Sequence, residues 1–414
     1  MMNIGNAVEE RLHTARAGDY DVVVVGGGVA GVCAAAAARR TGAEKVLILE
    51  KSVLFGGLAT QGLVSLYEPM SDGYGSQISF GMAEELLSTC MEYSPERIPP
   101  EWNDPGAKRE SSGARVKTLF SPAIMCLVLD RMVKESRADI LFDTRAVMPV
   151  MEGTACRGVI TESEEGRYLY TAKVVIDATG SAAVFHQAGA PCADGDNYMT
   201  YLSYRTSLAA MREAAENGDI LRAREWFVCG STGPTGSGHP EGMRYYRGTT
   251  AKEITEFVMD GRKILLDKIC VEDRMQRDIT AIPAMPQFRA IRHIRGAYTV
   301  QPEDANRAFA DSVGAVADFK NRGKWFEIPY RSMYVSGFSN LLAAGRITAA
   351  DAWAWSCVRV IPGVAVTGQA AGTAAALCIE NRCSTEELPV KLLQEALEKQ
   401  AVKIHTDLPC VRRE

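Results

Sequence analysis

The chain has 414 residues, of which 47% are hydrophobic and 23% charged, and it carries a net charge of −5 at pH 7. This length and composition are typical of a globular protein with more than one domain. The acidic balance argues against nucleic acid as a partner, because a phosphate-binding surface needs clustered Lys and Arg. The 11 cysteines form no C-x-x-C pair, so no metal or iron–sulfur site is predicted. Scattered thiols of this kind are typical of a reduced, cytoplasmic protein.

The apolar segment 22–38 is the one candidate for a signal peptide or a membrane span. It has no basic segment before it, contains three consecutive glycines, and is shorter than the roughly 20 residues that cross a bilayer. The sequence therefore predicts neither a membrane span nor a membrane partner.

The first regular segment predicts a nucleotide-binding turn. Four valines at 22–25 are typical of a buried parallel strand, and an Ala-rich helix opens with Val29 and Ala30. Between them the glycines follow the pattern G-x-G-x-x-G: Gly26 permits the tight turn, Gly28 lets the backbone approach a pyrophosphate, and Gly31 lets the helix pack closely on the strand. The N–H groups at the start of the helix would face the phosphates.

A second strand at 45–49 ends in Glu50, about twenty residues beyond the glycines, which is the spacing at which a carboxylate reaches a ribose hydroxyl. Lys51 follows, and then a second glycine pair at 56–57, before Leu58 and Ala59, would let the backbone pass beside a bulky cofactor. The alternative is a Gly-rich turn in an ordinary α/β protein, which accounts for the glycines but not for the whole combination.

The middle of the chain alternates between irregular and regular sequence. Residues 62–120 show no clear period, and a helix is predicted from Ser121 to about Ser136. Three short strands, around 147–151, 158–162 and 167–171, are typical of a β-meander. A separate buried strand at 173–177 then leads into the turn Ala178-Thr179-Gly180.

The third candidate nucleotide-binding segment is a strand at 340–343 that leads into Gly345 and Arg346. A helix of small residues begins near Gly363, and its interior contains Gly368 and Gly372. Because glycine costs about 1 kcal/mol relative to alanine inside a helix, this pair predicts close backbone contact. An amphipathic helix from Leu388 to about Val402 is predicted either to cover the sheet or to form a subunit interface, and the second alternative would make the protein a homo-oligomer.

Together these motifs resemble the FAD-dependent oxidoreductases of the glutathione-reductase-like fold, and within that group the FAD-dependent oxidoreductase family. The resemblance spans about residues 20–380, is weakest at 195–280, and includes the Arg-rich segment 289–298. It implies an α/β protein with a Rossmann-like FAD-binding domain, in which a β-meander serves as a crossover on a parallel sheet, and a second, α+β substrate or cap domain. The implied boundaries are 20–62, 121–194 and 336–382 for the FAD domain, 63–120 and 195–335 for the cap, and 383–414 for the C-terminal helix and tail.

The resemblance implies FAD as the cofactor, with Glu50 on the adenosine ribose, the backbone of Val147 on the adenine, and Arg346 beside the pyrophosphate and ribityl chain. The predicted cofactor contacts are Gly26, Gly28, Val29, Ala30, Gly31, Glu50, Lys51, Gly57, Leu58, Ala59, Val147, Ala178, Gly180, Gly345, Arg346, Thr367, Gly368 and Gln369. This sequence departs from the family pattern at Ser181, where an acid is common, and at His293, where an arginine is common.

The predicted catalytic residues are His293, Arg292, Arg331 and Tyr298, with Arg295 and Arg359 as further polar candidates. Arginines beside a flavin can bind a carboxylate or phosphate. The alternative to substrate binding is, for each arginine, a structural ion pair or a contact to the FAD phosphates. A role next to FAD is favoured for Arg346 and Arg359. For Arg292 and Arg331, substrate binding and a structural role both stay open. His293 is either a general acid or base or a structural hydrogen-bonding residue. The Gly-rich loop 230–239 is either a lid over the flavin or a surface connection.

These features favour an oxidoreductase of the dehydrogenase or reductase type, which transfers hydride between FAD and a small organic substrate, with organic anions matching the arginines. Two alternatives stay open: an oxygen-using oxidase or hydroxylase, and a flavin electron carrier for a partner protein. One strand–glycine–helix unit is visible, so no separate NAD(P)H domain is predicted.

Overall fold

The computed structural model describes residues 10–98, 117–233 and 238–413. Part of the predicted cap segment (99–116) and the centre of the predicted lid loop (234–237) lie outside the described residues. The described helices are α1 (Val29–Arg40), α2 (Met82–Tyr93), α3 (Pro122–Ser136), α4 (Ala183–Gln187), α5 (Leu208–Asn217), α6 (Ala251–Ile269), α7 (Ala352–Val358), α8 (Ile361–Asn381) and α9 (Val390–Lys399). The described strands are β1 (Ala15–Val25), β2 (Val46–Leu49), β3 (Leu66–Tyr67), β4 (Thr118–Leu119), β5 (Asp139–Leu141), β6 (Arg145–Glu152), β7 (Ala155–Ser163), β8 (Gly166–Asp177), β9 (Cys192–Asp194), β10 (Tyr201–Ser207), β11 (Glu225–Cys229), β12 (Arg277–Ala281), β13 (Arg292–Ile294), β14 (Arg307–Ala308), β15 (Ser312–Ala317), β16 (Trp325–Pro329), β17 (Leu341–Ala343) and β18 (Arg412–Arg413).

The centre of the fold is a seven-stranded sheet whose parallel part has the order β5-β2-β1-β8, with β17 on the far side of β8. The valines at 22–24 of β1 are fully buried, as expected for a strand covered on both faces. The predicted α/β class with a Rossmann-type parallel sheet is confirmed.

The strand β8 corrects one sequence prediction. The third meander strand and the buried strand after it are one continuous strand of 12 residues. Its first half pairs antiparallel with β7, whose other neighbour is β6, and its second half pairs parallel with β17. Thr171, Ala172 and Lys173 continue the extended backbone between the two halves, because nothing in the chain breaks the strand there. The meander and the parallel sheet therefore share the strand β8.

Two helices on one face of the sheet make an unusually close contact. A Cβ atom added at Gly368 would lie 2.5 Å from the carbonyl oxygen of Ala30, and one at Gly372 would lie 2.0 Å from that of Ala34. The order of these contacts shows that α1 and α8 run in the same direction. The glycine pair in α8 therefore has the close backbone contact that the sequence predicts.

The buried core does not follow the predicted boundary between the two domains. Leu86 of α2 and the hairpin residues Val313 and Ile328 belong to the same buried cluster as α1 and α8, although the prediction assigned all of them to the cap. A separate cluster that includes Tyr201 and Phe257 forms the core of the second unit, between about residues 199 and 291. The sequence missed α2 because its apolar face is short and lies within irregular sequence.

The C-terminal helix packs onto its own chain. Leu393 and Leu397 of α9 are fully buried, and the helix contacts α8 and β15. It therefore covers α8 and the β15–β16 hairpin rather than the main sheet, and the homo-oligomer stays a prediction. Among the described residues, α8 is the one helix whose length and composition would allow it to cross a membrane, but 89% of its apolar window is buried inside the fold. Such burial is typical of the core helix of a globular protein.

Candidate active site

The three predicted nucleotide segments meet at the carboxyl edge of the parallel sheet, where ligands bind in open α/β folds. Backbone hydrogen bonds join them: Gly26 N–H donates to Leu49 (2.8 Å), and Ala178 N–H donates to Val25 (2.9 Å). Ala344, at the end of β17, donates to the carbonyl of the last residue of β8 (3.0 Å). Segments more than 300 residues apart thus form one crevice.

The glycines of the first turn have distinct structural roles. Gly26 has a φ of +105°, and a Cβ atom there would lie 2.6 Å from the carbonyl oxygen of Ala178. A Cβ atom on Gly31 would lie 1.8 Å from the carbonyl oxygen of Gly26. A Cβ atom on Gly28, in contrast, would meet no atom within 4 Å, and no side chain caps the start of α1. Unpaired N–H groups therefore face open space, which fits the pyrophosphate of a dinucleotide.

The second glycine pair borders the same space. Gly56 N–H donates to the carbonyl of Gly27 (2.8 Å), and the short 3₁₀ turn Gly57–Ala59 follows. A Cβ atom on Gly57 would have the Cα of Gly28 at 3.6 Å as its nearest neighbour. The turn that holds Gly57, Leu58 and Ala59 therefore forms a second wall of the crevice, and the contacts of these residues to FAD stay a prediction.

Glu50 is buried at the end of β2, with 8% of its surface exposed. Its Oε2 accepts a hydrogen bond from Gly27 N–H (2.7 Å), and its Oε1 accepts from Ser52 N–H (2.9 Å) and the Ser52 hydroxyl (2.8 Å). These bonds fix the carboxylate beside the glycine turn, and Oε2, which accepts a single bond from Gly27, retains a lone pair that a ribose hydroxyl can use.

The variant Glu50→Gln is expected to bind FAD about 10- to 100-fold more weakly and to lose roughly 1–3 kcal/mol of stability, because an amide nitrogen would face an N–H donor in a buried position. Titration of the apoprotein with FAD, followed by flavin fluorescence, and thermal unfolding measure the two effects. Glu44→Gln, at an exposed position just before β2, is the matched control and should change neither. Unchanged FAD affinity in Glu50→Gln would contradict the ribose assignment.

Val147 lies at an irregularity of the meander. The pairing of β6 with β7 passes from Ala146–Thr161 to Met148–Ile160 and skips Val147. A bulged residue of this kind leaves its backbone groups outside the ladder, which suits the predicted backbone contact to adenine.

Arg346 lies in the 3₁₀ turn Gly345–Ile347, directly after β17. Its guanidinium donates to the carbonyl oxygens of Gly180 (2.6 Å) and Phe288 (2.6 Å). Burial lowers the pKa of Arg346 to about 10, so the side chain keeps its charge at neutral pH. The contact with Gly180 places it at the crevice, and its two bonds go to neutral acceptors.

Three residues of α8 that were predicted to contact the cofactor contact other parts of the protein instead. The Thr367 hydroxyl accepts from Gly345 N–H (3.0 Å), and Gly368 packs on α1. The Gln369 side chain accepts from Met82 N–H (2.8 Å) and donates to Gln400. The sequence placed these residues near FAD because they follow the start of α8, but they lie about two turns beyond it and their side chains contact other helices.

Beside the start of α8 lies a cavity of about 350 Å³. Its lining combines Tyr198 and Arg289, next to the second core, with His293, Trp355 and Arg359 from the sheet side. This volume suits a small organic molecule. The cavity lies where the two units of the chain meet.

Of the four predicted catalytic side chains, His293 alone lines this cavity. The other three are engaged with carboxylates, which favours structural ion pairs and hydrogen bonds over catalysis. These contacts are Arg292–Asp194 (2.8 Å), Arg331–Asp311 (3.0 Å) and Tyr298–Asp304 (2.7 Å). The structure therefore does not bring the four predicted catalytic side chains together in this cavity.

His293 is 1% exposed, and both of its ring nitrogens have partners. Nδ1–H donates to the carbonyl of Ile294 (2.8 Å), Nε2 lies 3.3 Å from Asp351 Oδ1, and the ring packs edge-on against Trp355 at 4.5 Å. Burial lowers the pKa of His293, and the Asp351 carboxylate opposes this effect. These contacts favour the structural alternative for His293 over an acid or base.

The lowered pKa of His293 predicts a pH dependence of stability. The unfolded chain binds the proton more tightly, so the stability that is present above pH 6.5 should fall on acidification, by up to about 1.4 kcal/mol per pH unit. Melting temperatures between pH 5 and 8 should fall more steeply for the wild type than for His293→Gln. His13→Gln, at an exposed position, should keep the wild-type slope, and equal slopes in all three proteins would contradict the prediction.

The sequence missed several polar residues of the cavity, among them Tyr198 and Asp351. Tyr198 lies in the least recognisable part of the chain, and Asp351 follows no motif. From the sequence, Arg289 is identified only as the first residue of the Arg-rich segment 289–298. Membership of that segment is the one sequence feature that points to Arg289 as a site residue.

The fold and the crevice define a Rossmann-type dinucleotide-binding protein. A family model described as "FAD dependent oxidoreductase" matches residues 21–220 and 239–397, which is most of the chain. The chain belongs to this family, and it is an FAD-dependent oxidoreductase.

Individual relatives are more distant. The chain is 28% identical over 177 residues to the digeranylgeranylglycerophospholipid reductase of Methanoculleus marisnigri, a match that spans 40% of this chain and 40% of that reductase. Among solved structures, a geranylgeranyl bacteriochlorophyll reductase-like protein of Thermoplasma acidophilum is 14% identical with a TM-score of 0.45, and the match covers 92% of this chain and 83% of that one. The p-nitrophenol 4-monooxygenase PnpA of Pseudomonas putida is 13% identical with a TM-score of 0.48, and the match covers 92% and 84% of the two chains.

Proposed function

We propose that this chain is a dehydrogenase or reductase in which a small organic substrate exchanges hydride with FAD. FAD supplies the hydride chemistry, and the protein supplies binding, orientation and exclusion of water. The observation that carries this proposal is the cavity of about 350 Å³ beside the start of α8. The dinucleotide crevice and the cavity thus adjoin, as a cofactor and its substrate must.

The positions of the two parallel helices support this arrangement. Gly368 of α8 lies against Ala30, the second residue of α1, whereas α8 begins at Ile361. At 1.5 Å per residue, α8 extends about 9 Å past the start of α1 in the N-terminal direction of the two helices. With the pyrophosphate at α1, the ring end of the cofactor would extend toward the start of α8 and toward the cavity.

The residues of the cavity would hold the substrate in place. Trp355 provides an apolar wall and donates its Nε1–H to the carbonyl of Arg346 (2.7 Å), which fixes the ring. Tyr198 and Arg289 approach from the second unit, so that substrate would be enclosed between both units and kept from water.

The test is to purify the FAD-loaded protein and to screen small organic substrates anaerobically for loss of the flavin absorbance band. Bleaching by one class of organic substrate supports the proposal. Bleaching by NAD(P)H alone contradicts it, since the organic substrate would then not be the donor. Rapid recovery in air with hydrogen peroxide or a hydroxylated product would favour the oxygen-using alternative, and transfer of electrons only to a partner protein would favour an electron carrier.

A further inference from the structure

The acidic residues that line the cavity are already matched by cations. Each of the three aspartates there lies within ion-pair distance of a basic side chain. The pairs are Asp194–Arg292 (2.8 Å), Asp196–Arg247 (3.9 Å) and Asp351–Arg295 (3.0 Å). The acids of the wall therefore have little charge left with which to neutralise a further arginine.

Arg359 is that further arginine. Its side chain lines the cavity, and no ion pair or side-chain hydrogen bond joins its guanidinium to any of the described residues. Burial, together with the nearby charges of Arg289 and Arg346, lowers the pKa of Arg359 to about 10. It is therefore still protonated at neutral pH, and its charge is only partly hydrated.

Two further arginines, Arg289 and Arg346, lie near Arg359, and the carboxylate of Glu68 acts on Arg289. The guanidinium of Arg289, which also lines the cavity, lies over the ring of Tyr198 at 5.4 Å, and Arg346 is bonded to neutral carbonyl oxygens. Arg359 also directly precedes the N-cap of α8, Val360, which makes no side-chain cap hydrogen bond. The positive end of the α8 dipole therefore lies next to Arg359 and adds to the positive potential there.

Arg359 faces the cavity, which lies beside the start of α8. The predicted pyrophosphate position is instead at Gly28, the N-cap of α1. A half-buried cation without an ion-pair partner loses part of its hydration, which is costly, and an anion bound in the cavity would offset that cost.

We propose that Arg359, with Arg289 and Tyr198 beside it, binds the carboxylate of a small organic acid, so that the proposed oxidoreductase acts on carboxylate substrates. A planar guanidinium matches a carboxylate with two parallel hydrogen bonds, and the apolar face of Trp355 lies close enough to cover the carbon skeleton. This inference rests on the proposed function for its consequence, but the anion site itself can be tested without turnover.

The experiment is calorimetric titration of the FAD-loaded protein with acetate, succinate and benzoate, with benzamide as the neutral match of benzoate and inorganic phosphate as the competing anion. At least one carboxylate should bind and benzamide should not. In Arg359→Gln the carboxylate affinity should fall about 10- to 100-fold, and Arg359→Lys, which keeps the charge but not the two-pronged geometry, should lie in between. Arg212→Gln removes an exposed arginine of α5 that does not line the cavity and is the matched control, with a change of about twofold or less.

Several outcomes would overturn the assignment. One is that none of the three carboxylates binds to the wild type. Another is that Arg359→Gln and the wild type bind the carboxylate with equal affinity. A third is that Arg359→Gln and Arg359→Lys lose FAD but still bind the carboxylate. Tighter binding of inorganic phosphate than of any carboxylate would assign the site to phosphate esters. If Arg359→Gln does not fold, Arg359→Lys carries the comparison. A failed anaerobic substrate screen would remove the proposed function but leave the binding result standing.

Discussion

The variant Gly28→Ala is expected to fold like the wild type but to bind FAD about 100-fold more weakly. Gly28 has φ −66° and ψ 176°, a conformation open to alanine, and a Cβ atom there would meet no protein atom within 4 Å. That Cβ would instead occupy the space in front of the N–H groups of α1. Displacing the pyrophosphate from these groups would lose one or two charge-assisted hydrogen bonds, each worth about 1.5–3 kcal/mol.

The contrast with Gly31→Ala makes this prediction specific. At Gly31 a Cβ atom would lie 1.8 Å from the carbonyl oxygen of Gly26, so this change should disturb the fold itself. FAD affinity by fluorescence titration, and the melting temperature of both apoproteins, separate the two effects. Full FAD affinity in Gly28→Ala would show that the pyrophosphate does not lie at this helix end.

The second large effect is expected at the contact between α1 and α8, where alanine should destabilise the protein even though it is the better helix former. In an open helix, Gly→Ala stabilises by about 1 kcal/mol. At Gly372 the new Cβ would lie 2.0 Å from the carbonyl oxygen of Ala34, which is backbone and cannot rotate away. Overpacking of this kind costs about 1–3 kcal/mol, so the sign of the change is reversed.

Chemical denaturation of Gly368→Ala and Gly372→Ala measures this prediction, and Gly372→Ala should be the more damaging because its contact is the shorter one. Ser88→Ala, at an exposed position in α2, controls for a general effect of alanine in a helix. A gain of stability in Gly372→Ala would mean that the two helices can separate freely, and it would remove the packing argument for the glycine pair.

The two halves of the active site have different origins in the fold. The dinucleotide crevice is built from strand ends and turns of a single sheet, whereas the cavity is closed by residues of the second core, such as Tyr198. A substrate would therefore contact both units of the chain. This division explains why substitutions at Glu50 or Gly28 should act on FAD, and substitutions at Arg359 on the carboxylate.

The amino-acid sequence alone determined the nucleotide half of this protein. A buried valine strand, glycines at G-x-G-x-x-G spacing and the acid at Glu50 are local features, and each is needed where it stands because of backbone conformation or close approach. For the same reason the glycine pair in α8 could be interpreted without a structure. The class of fold and the cofactor followed from these segments.

Only the tertiary structure decided which polar side chains share the cavity. Arg292, Arg331 and Arg359 are equivalent by residue type, but two of them are neutralised by Asp194 and Asp311, which are distant in the chain. Likewise, the sequence could not show that α2 joins the main core, since its few apolar residues are buried by helices from elsewhere. The charge state and direction of a side chain depend on its neighbours in space, and the order of residues along the chain does not specify those neighbours.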